Sequence, residues 1–224
     1  MNTQEFDLYL DRYAQLSVKV GLNLQPNQSL LIGRLTPESQ VAFEAAPFVH
    51  KVVAHAYRAG AKAVDVHWGD RSLVLTRLKE ARRETLTEVP EAWMLPGVLD
   101  LIDNGGAVMT IHSPDPDLFS GVKVDDLSTL LNSYFTLSQP LLERITGGVP
   151  NWVVICAATP AWASKLFPND PQEAALYKLW DAIFDICRVK YDDPISVWQQ
   201  HIHDLHDRSD YLNAKAYDHL KYHG

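Results

Sequence analysis

The densest run of metal-ligand residue types in the chain is His201-Ile-His-Asp-Leu-His206-Asp207, since imidazoles and carboxylates are the usual ligands of zinc and its neighbours. Spacing weighs against it. On a helix His203 and Asp207 stand four residues apart and share a face, whereas His201 and His203 diverge by about 200° and cannot meet on one ion. No HExxH pair occurs. The pattern predicts an exposed polar helix face, with Trp198, Ile202, Leu205 and Leu212 as the buried one.

Other chemistries have less support. The turn Gly33-Arg-Leu-Thr-Pro-Glu38 has one glycine and a bulky Leu35 where a dinucleotide loop needs several, and neither GxGxxG nor GxxxxGK[ST] occurs. Ser113 is followed by proline, no GxSxG is present, and Cys156 sits at the end of an apolar run. His112, Asp115 and Asp117 fall in a Ser-Pro-Asp-Pro-Asp stretch that capping and turn formation explain. Of six tryptophans, Trp162, Trp180 and Trp198 fall at helix positions suited to packing, Trp68 and Trp152 at strand ends, and Trp93 at a helix start.

Composition narrows the classes further. A chain of 224 residues with 46% hydrophobic content can bury a substantial core. The formal charge of −8 argues against nucleic acid as a partner, because such proteins display a basic face. The one dense basic stretch, Arg77, Lys79, Arg82 and Arg83, is interleaved with Glu80 and Glu84 and reads as a solvated helix face. Cys156 and Cys187 form no zinc or redox motif and read as buried reduced thiols of a cytoplasmic protein. Residues Met1 to Asp7 have no apolar core of signal-peptide length, and no apolar run reaches the ~18 residues of a membrane span.

The elements that would position these residues alternate. Helix is predicted from Phe6 to Val20, strand from Ser29 to Gly33, helix from Glu44 to Ala59 and strand from Ala63 to Trp68. A largely helical stretch from Asp70 to Thr87 and a helix from Ala92 to Asn104 broken at Pro96 precede the strand Ala107–Ile111. A helix from Asp125 to Ile145, with a break at Pro140, leads to the strand Trp152–Cys156. This is a parallel (Rossmann-like) α/β sheet flanked by helices. Thr36-Pro37, Ser113-Pro114 and Thr159-Pro160 read as helix starts at the sheet's carboxyl edge, where open α/β sheets form a crevice. After Pro171 an all-helical carboxyl-terminal portion is expected: Gln172–Arg188, Pro194–Leu212 and Ala214–Leu220. The whole reads as a single domain, 1–224, with an α/β body to about residue 170.

The order of these segments resembles the amino-terminal domain of the thermophilic-type metalloaminopeptidases, the family M29 peptidases that include aminopeptidases T and S. The resemblance covers essentially the whole chain. Its early part rests on Tyr13-Ala-Gln-Leu16, Gly21-Leu-Asn-Leu-Gln-Pro-Asn-Gln-Ser-Leu-Leu-Ile32, Ala56-Tyr-Arg-Ala-Gly-Ala61 and Val64-Asp-Val-His-Trp68. More specific are Thr159-Pro-Ala-Trp162, Leu179-Trp-Asp-Ala-Ile-Phe184, Asp193-Pro194, Trp198-Gln-Gln-His201, and Leu205 through Asp210-Tyr-Leu-Asn213 to Leu220-Lys-Tyr222.

The resemblance implies a longer parent that uses two divalent metal ions, zinc, cobalt or similar, to hydrolyse the first peptide bond. It places the ligands, two glutamates, two histidines, an aspartate and a nearby tyrosine, in a carboxyl-terminal domain beyond Gly224. None maps here, so no catalytic or metal-ligating residue is expected in this chain and His201 and His203 are not assigned as ligands. The expected partners are the peptide substrate, the catalytic domain and a second copy of the parent, with no nucleic acid and no membrane. The alternative is a self-sufficient small-ligand module using the crevice near Arg34, Asp70, His112 and Thr159.

Overall fold

A computed structural model describes residues 2–223, apart from the side chain of Glu38; Met1 and Gly224 lie outside the described residues. The apolar runs form four strands, β1 (Ser29–Ile32), β2 (Ala63–Val66), β3 (Ala107–His112) and β4 (Trp152–Cys156). All pair in parallel, in the order β2-β1-β3-β4. Around them lie α1 (Thr3–Leu16), α2 (Ala46–Arg58), α3 (Arg71–Glu80), α4 (Leu95–Asp103), α5 (Val124–Thr146), α6 (Pro160–Leu166), α7 (Gln172–Ile186) and α8 (Pro194–Lys215). The predicted fold class holds: a parallel sheet between two helical layers.

Alternation along the strands decides which layer each side chain enters. Leu30, Ile32, Met109 and Ile111 join the larger core with α1, α2 and α7. Leu31 and Val108 join a smaller one with Val98 and Ile102 of α4 and Leu141 and Ile145 of α5. Trp180 is an aromatic anchor of the larger core, its ring 5.5 Å from Phe184 and 5.7 Å from Phe48. Trp198 packs on the edge of that core and donates its indole N–H to Cys187 O at 2.6 Å. Trp93, by contrast, is 78% exposed.

Gly33 is required where β1 ends. Its φ is +89°, and a Cβ there would lie 2.8 Å from the carbonyl oxygen of His67, so both backbone conformation and space exclude a side chain.

Several predicted boundaries are corrected. Helix α5 runs unbroken through Pro140. An internal proline costs about 3 kcal/mol, but Leu141 and Ile145 beyond it are buried, and each contributes about 1.5–3 kcal/mol. Burial outweighs the lost bond. Pro96 does not break a helix either: it occupies the first turn of α4, after a 3-10 turn over Pro90–Met94. Helix α3 stops at Glu80 because Arg77, far from lining a solvated face, turns inward and donates to the carbonyls of Thr85 and Glu88. The chain from Ala214 to Leu220 is not a separate helix: α8 continues to Lys215 and ends at Ala216, which is left-handed at φ 46°.

Candidate functional site

The carboxyl ends of the strands do form a crevice. Arg71, at the start of α3, ties it together, donating from Nε to Pro37 O at 3.2 Å and from Nη1 to Ser113 O at 2.9 Å. Asp70 caps α3 by accepting from the Ser72 amide at 2.8 Å. The hydroxyl and amide of Ser72 hold its carboxyl below the usual carboxylate range. Asp70, Ser113, Asp115 and Thr159 line one cavity of about 300 Å³. Arg34 faces a different one, beside α5. The four residues Arg34, Asp70, His112 and Thr159 therefore do not share a single pocket.

The hydroxyl caps expected at this edge are absent, although two of the three prolines do start helical turns. Thr36 pairs its hydroxyl with that of Ser39 at 2.7 Å instead of capping, and Thr159 Oγ1 donates to Pro114 O at 3.4 Å. No helix starts at Ser113-Pro114. Asp115 instead accepts from the Asp117 amide at 3.2 Å, closing a side-chain turn, and Asp117 pairs with Lys165 at 2.8 Å.

On α8 the histidines diverge as their spacing requires. His201 lies against Trp198, its Nδ1 3.5 Å from Arg188 Nη2. His203 pairs with Asp207 at 3.6 Å, both about two-thirds exposed, and His206 faces solvent. Among the described residues no three His, Cys, Asp or Glu side chains are grouped to hold a metal ion. The predicted buried face of α8 is corrected: Ile202, Leu205 and Leu212 are exposed, and of the three only Ile202 borders a cavity, beside β4.

A third feature lies along the free edge of β4. There an apolar groove of about 650 Å³ is lined by Val154, Ile155, Trp162, Ile186 and Ile202. Tyr13 also lines it, and its hydroxyl donates to Cys156 O at 3.0 Å and accepts from Cys156 N at 3.2 Å. Burial raises the pKa of Tyr13 well above the usual phenol value. It likewise pushes the Cys156 thiol up, and that of Cys187 to about 11, so neither is an activated nucleophile.

A sequence profile described as thermophilic metalloprotease (M29) matches residues 6–224. The chain belongs to the M29 family. It is 37% identical over 213 residues to Aminopeptidase 2 of Geobacillus stearothermophilus, covering 95% of this chain and 50% of that protein. With Aminopeptidase T of Thermus thermophilus it shares 33% identity over 219 residues, covering 98% of this chain and 52% of the relative. The solved structure of wild-type AmpT from Thermus thermophilus superposes with a TM-score of 0.82 at 33% identity, over 92% of this chain and 49% of that one. This M29 chain thus spans about half the length of the curated relatives it matches.

The family description implies a metal. The described residues of this M29 chain do not fit one, since His203 and Asp207 make a lone exposed pair.

Proposed function

We propose that this chain is the amino-terminal, non-catalytic half of a metal-dependent aminopeptidase whose full-length form removes amino-terminal residues from peptides. The observation that carries this reading is the half-length match to proteins named aminopeptidases. In this reading the other half holds two divalent ions, zinc, cobalt or similar, and this domain helps wall the substrate cavity. The parent works as a homodimer in the cytoplasm. The unpartnered apolar face of α8 and the groove along β4 take the packing surface of the catalytic half, which would remove both from water.

The test compares two preparations. Residues 1–224 alone are expected to release no amino-terminal leucine from a short peptide in the presence of zinc or cobalt. The chain extended by its catalytic half is expected to release it. Metal-dependent release by residues 1–224 alone would overturn the proposal.

A further inference from the structure

The sheet has two outer strands, β2 and β4, and their free edges are finished differently. Along a parallel strand the backbone groups alternate, one residue bonding the neighbouring strand and the next pointing away from it. On β2, His67 N donates to Ile32 O, which with the register of the pair leaves Val64 and Val66 facing outward. Both of their amides are satisfied by side chains: Val64 N donates to the Tyr57 hydroxyl at 3.3 Å and Val66 N to the Asp65 carboxylate at 2.9 Å. An edge closed in this way resists the addition of a strand. On β4, Val108 N donates to Asn151 O and Ala157 N to His112 O. With the register of that pair, these bonds turn Val153 and Ile155 towards β3 and Trp152, Val154 and Cys156 outward. The Tyr13 hydroxyl serves both backbone groups of Cys156. Among the described residues nothing serves those of Trp152 and Val154.

The open stretch of β4 also lacks the usual defences of an edge strand, since residues 151–156 contain neither a charge nor a proline. Trp152 and Val154 are half exposed, at 49% and 50%, so their backbone is within reach of a partner. Val154 lines the apolar groove, and none of the described residues around that groove is charged. A segment laid along this edge would meet free amides and carbonyls on one side and uncharged, mostly apolar side chains about it, the setting of strand addition. We propose that the β4 edge takes an extended segment of the catalytic half as a fifth strand, paired through the backbone of Trp152 and Val154, with apolar side chains turned into the groove. This fifth strand presupposes the proposed division into two halves, and the half-length match to the relatives supplies the chain that would provide it. A second copy fits less well, because it would bring the residues around its own β4, Trp162, Ile186 and Ile202, to the same place, whereas a single segment brings only itself.

The test is amide hydrogen exchange on residues 1–224 and on the chain extended by its catalytic half, with Val153 and Ile155 as references. The reference amides bond β3 and are expected to be protected in both preparations. Those of Trp152 and Val154 are expected to exchange freely in residues 1–224 and about a hundredfold or more slower in the extended chain. Val154→Pro removes one outward N–H, a change that edge strands tolerate, and should return Trp152 to fast exchange in the extended chain. If that variant does not fold, Val154→Lys, which puts a charge beside the groove, is expected to do the same. Fast exchange at both amides in the extended chain overturns the fifth strand, and so does protection that neither substitution alters. Protection in residues 1–224 alone that rises with concentration would assign the edge to a second copy and overturns it too. An extended chain that releases leucine while both amides exchange fast strikes the fifth strand alone, whereas metal-dependent release by residues 1–224 strikes the division into two halves.

Discussion

Tyr13 shows how much one hydroxyl can hold. It is 3% exposed and serves both the amide and the carbonyl of Cys156, so Tyr13→Phe leaves two groups at the sheet edge without a partner. A loss of about 1–3 kcal/mol is expected, read as a lower urea midpoint with an unchanged slope. Gly33→Ala should cost about 1–3 kcal/mol for the positive φ alone, and more for the clash with His67 O. The half-buried thiol of Cys187 gives a pH signature. Its ordinary value is 9.0 and its folded value about 11, so the folded chain keeps its proton where the unfolded chain has lost it. That stabilisation is complete below about pH 9 and is lost as pH rises towards about 11. Stability should therefore fall across that window, and Cys187→Ser should flatten the fall. At neutral pH a disulfide reagent should modify Cys187 much more slowly than the same residue in the unfolded chain.

At the scale of the element, α8 depends on its first turn. Asp193 accepts from Ser196, from both its amide and its hydroxyl, and these bonds hold the Asp193 carboxyl below its usual range, the hydroxyl first. Asp193→Ala is expected to fray that turn, seen as faster amide exchange at Ser196 and Val197 with the sheet unaffected. Elements such as α2 and β3 were legible because their hydrophobic periods match how they are buried. The boundaries at Pro140 and Glu80 were not, because they are set by distant burial of Leu141 and by the inward turn of Arg77, which no local spacing encodes. The carboxyl-edge crevice was legible as a place but not as a site. The reading of α8 went wrong for a related reason: a 3.6-residue period identifies the apolar face but not whether this chain contains what covers it.

At the scale of the whole molecule, the groove at β4 and the stripe of Ile202, Leu205 and Leu212 put apolar side chains on the surface, where they favour association. Replacing those three α8 residues by Lys is expected to reduce self-association of residues 1–224, measured by sedimentation, while leaving the melting temperature nearly unchanged, because all three side chains are exposed. The same substitutions in an extended chain should weaken the joining of its halves. The Tyr13 clasp also bears on how the chain is made. Its hydroxyl and the backbone it grips are 143 positions apart, and Arg12 reaches Tyr191 O across 179. Helix α1 can pack on α2 early, Tyr13 stacking on Phe48 at 4.9 Å, but it completes these long-range bonds only once β4 and the segment before α8 have been made. The part of its face that meets α7 stays uncovered while translation proceeds at about 5–20 residues per second, so slower elongation should lengthen the interval in which the nascent chain can aggregate.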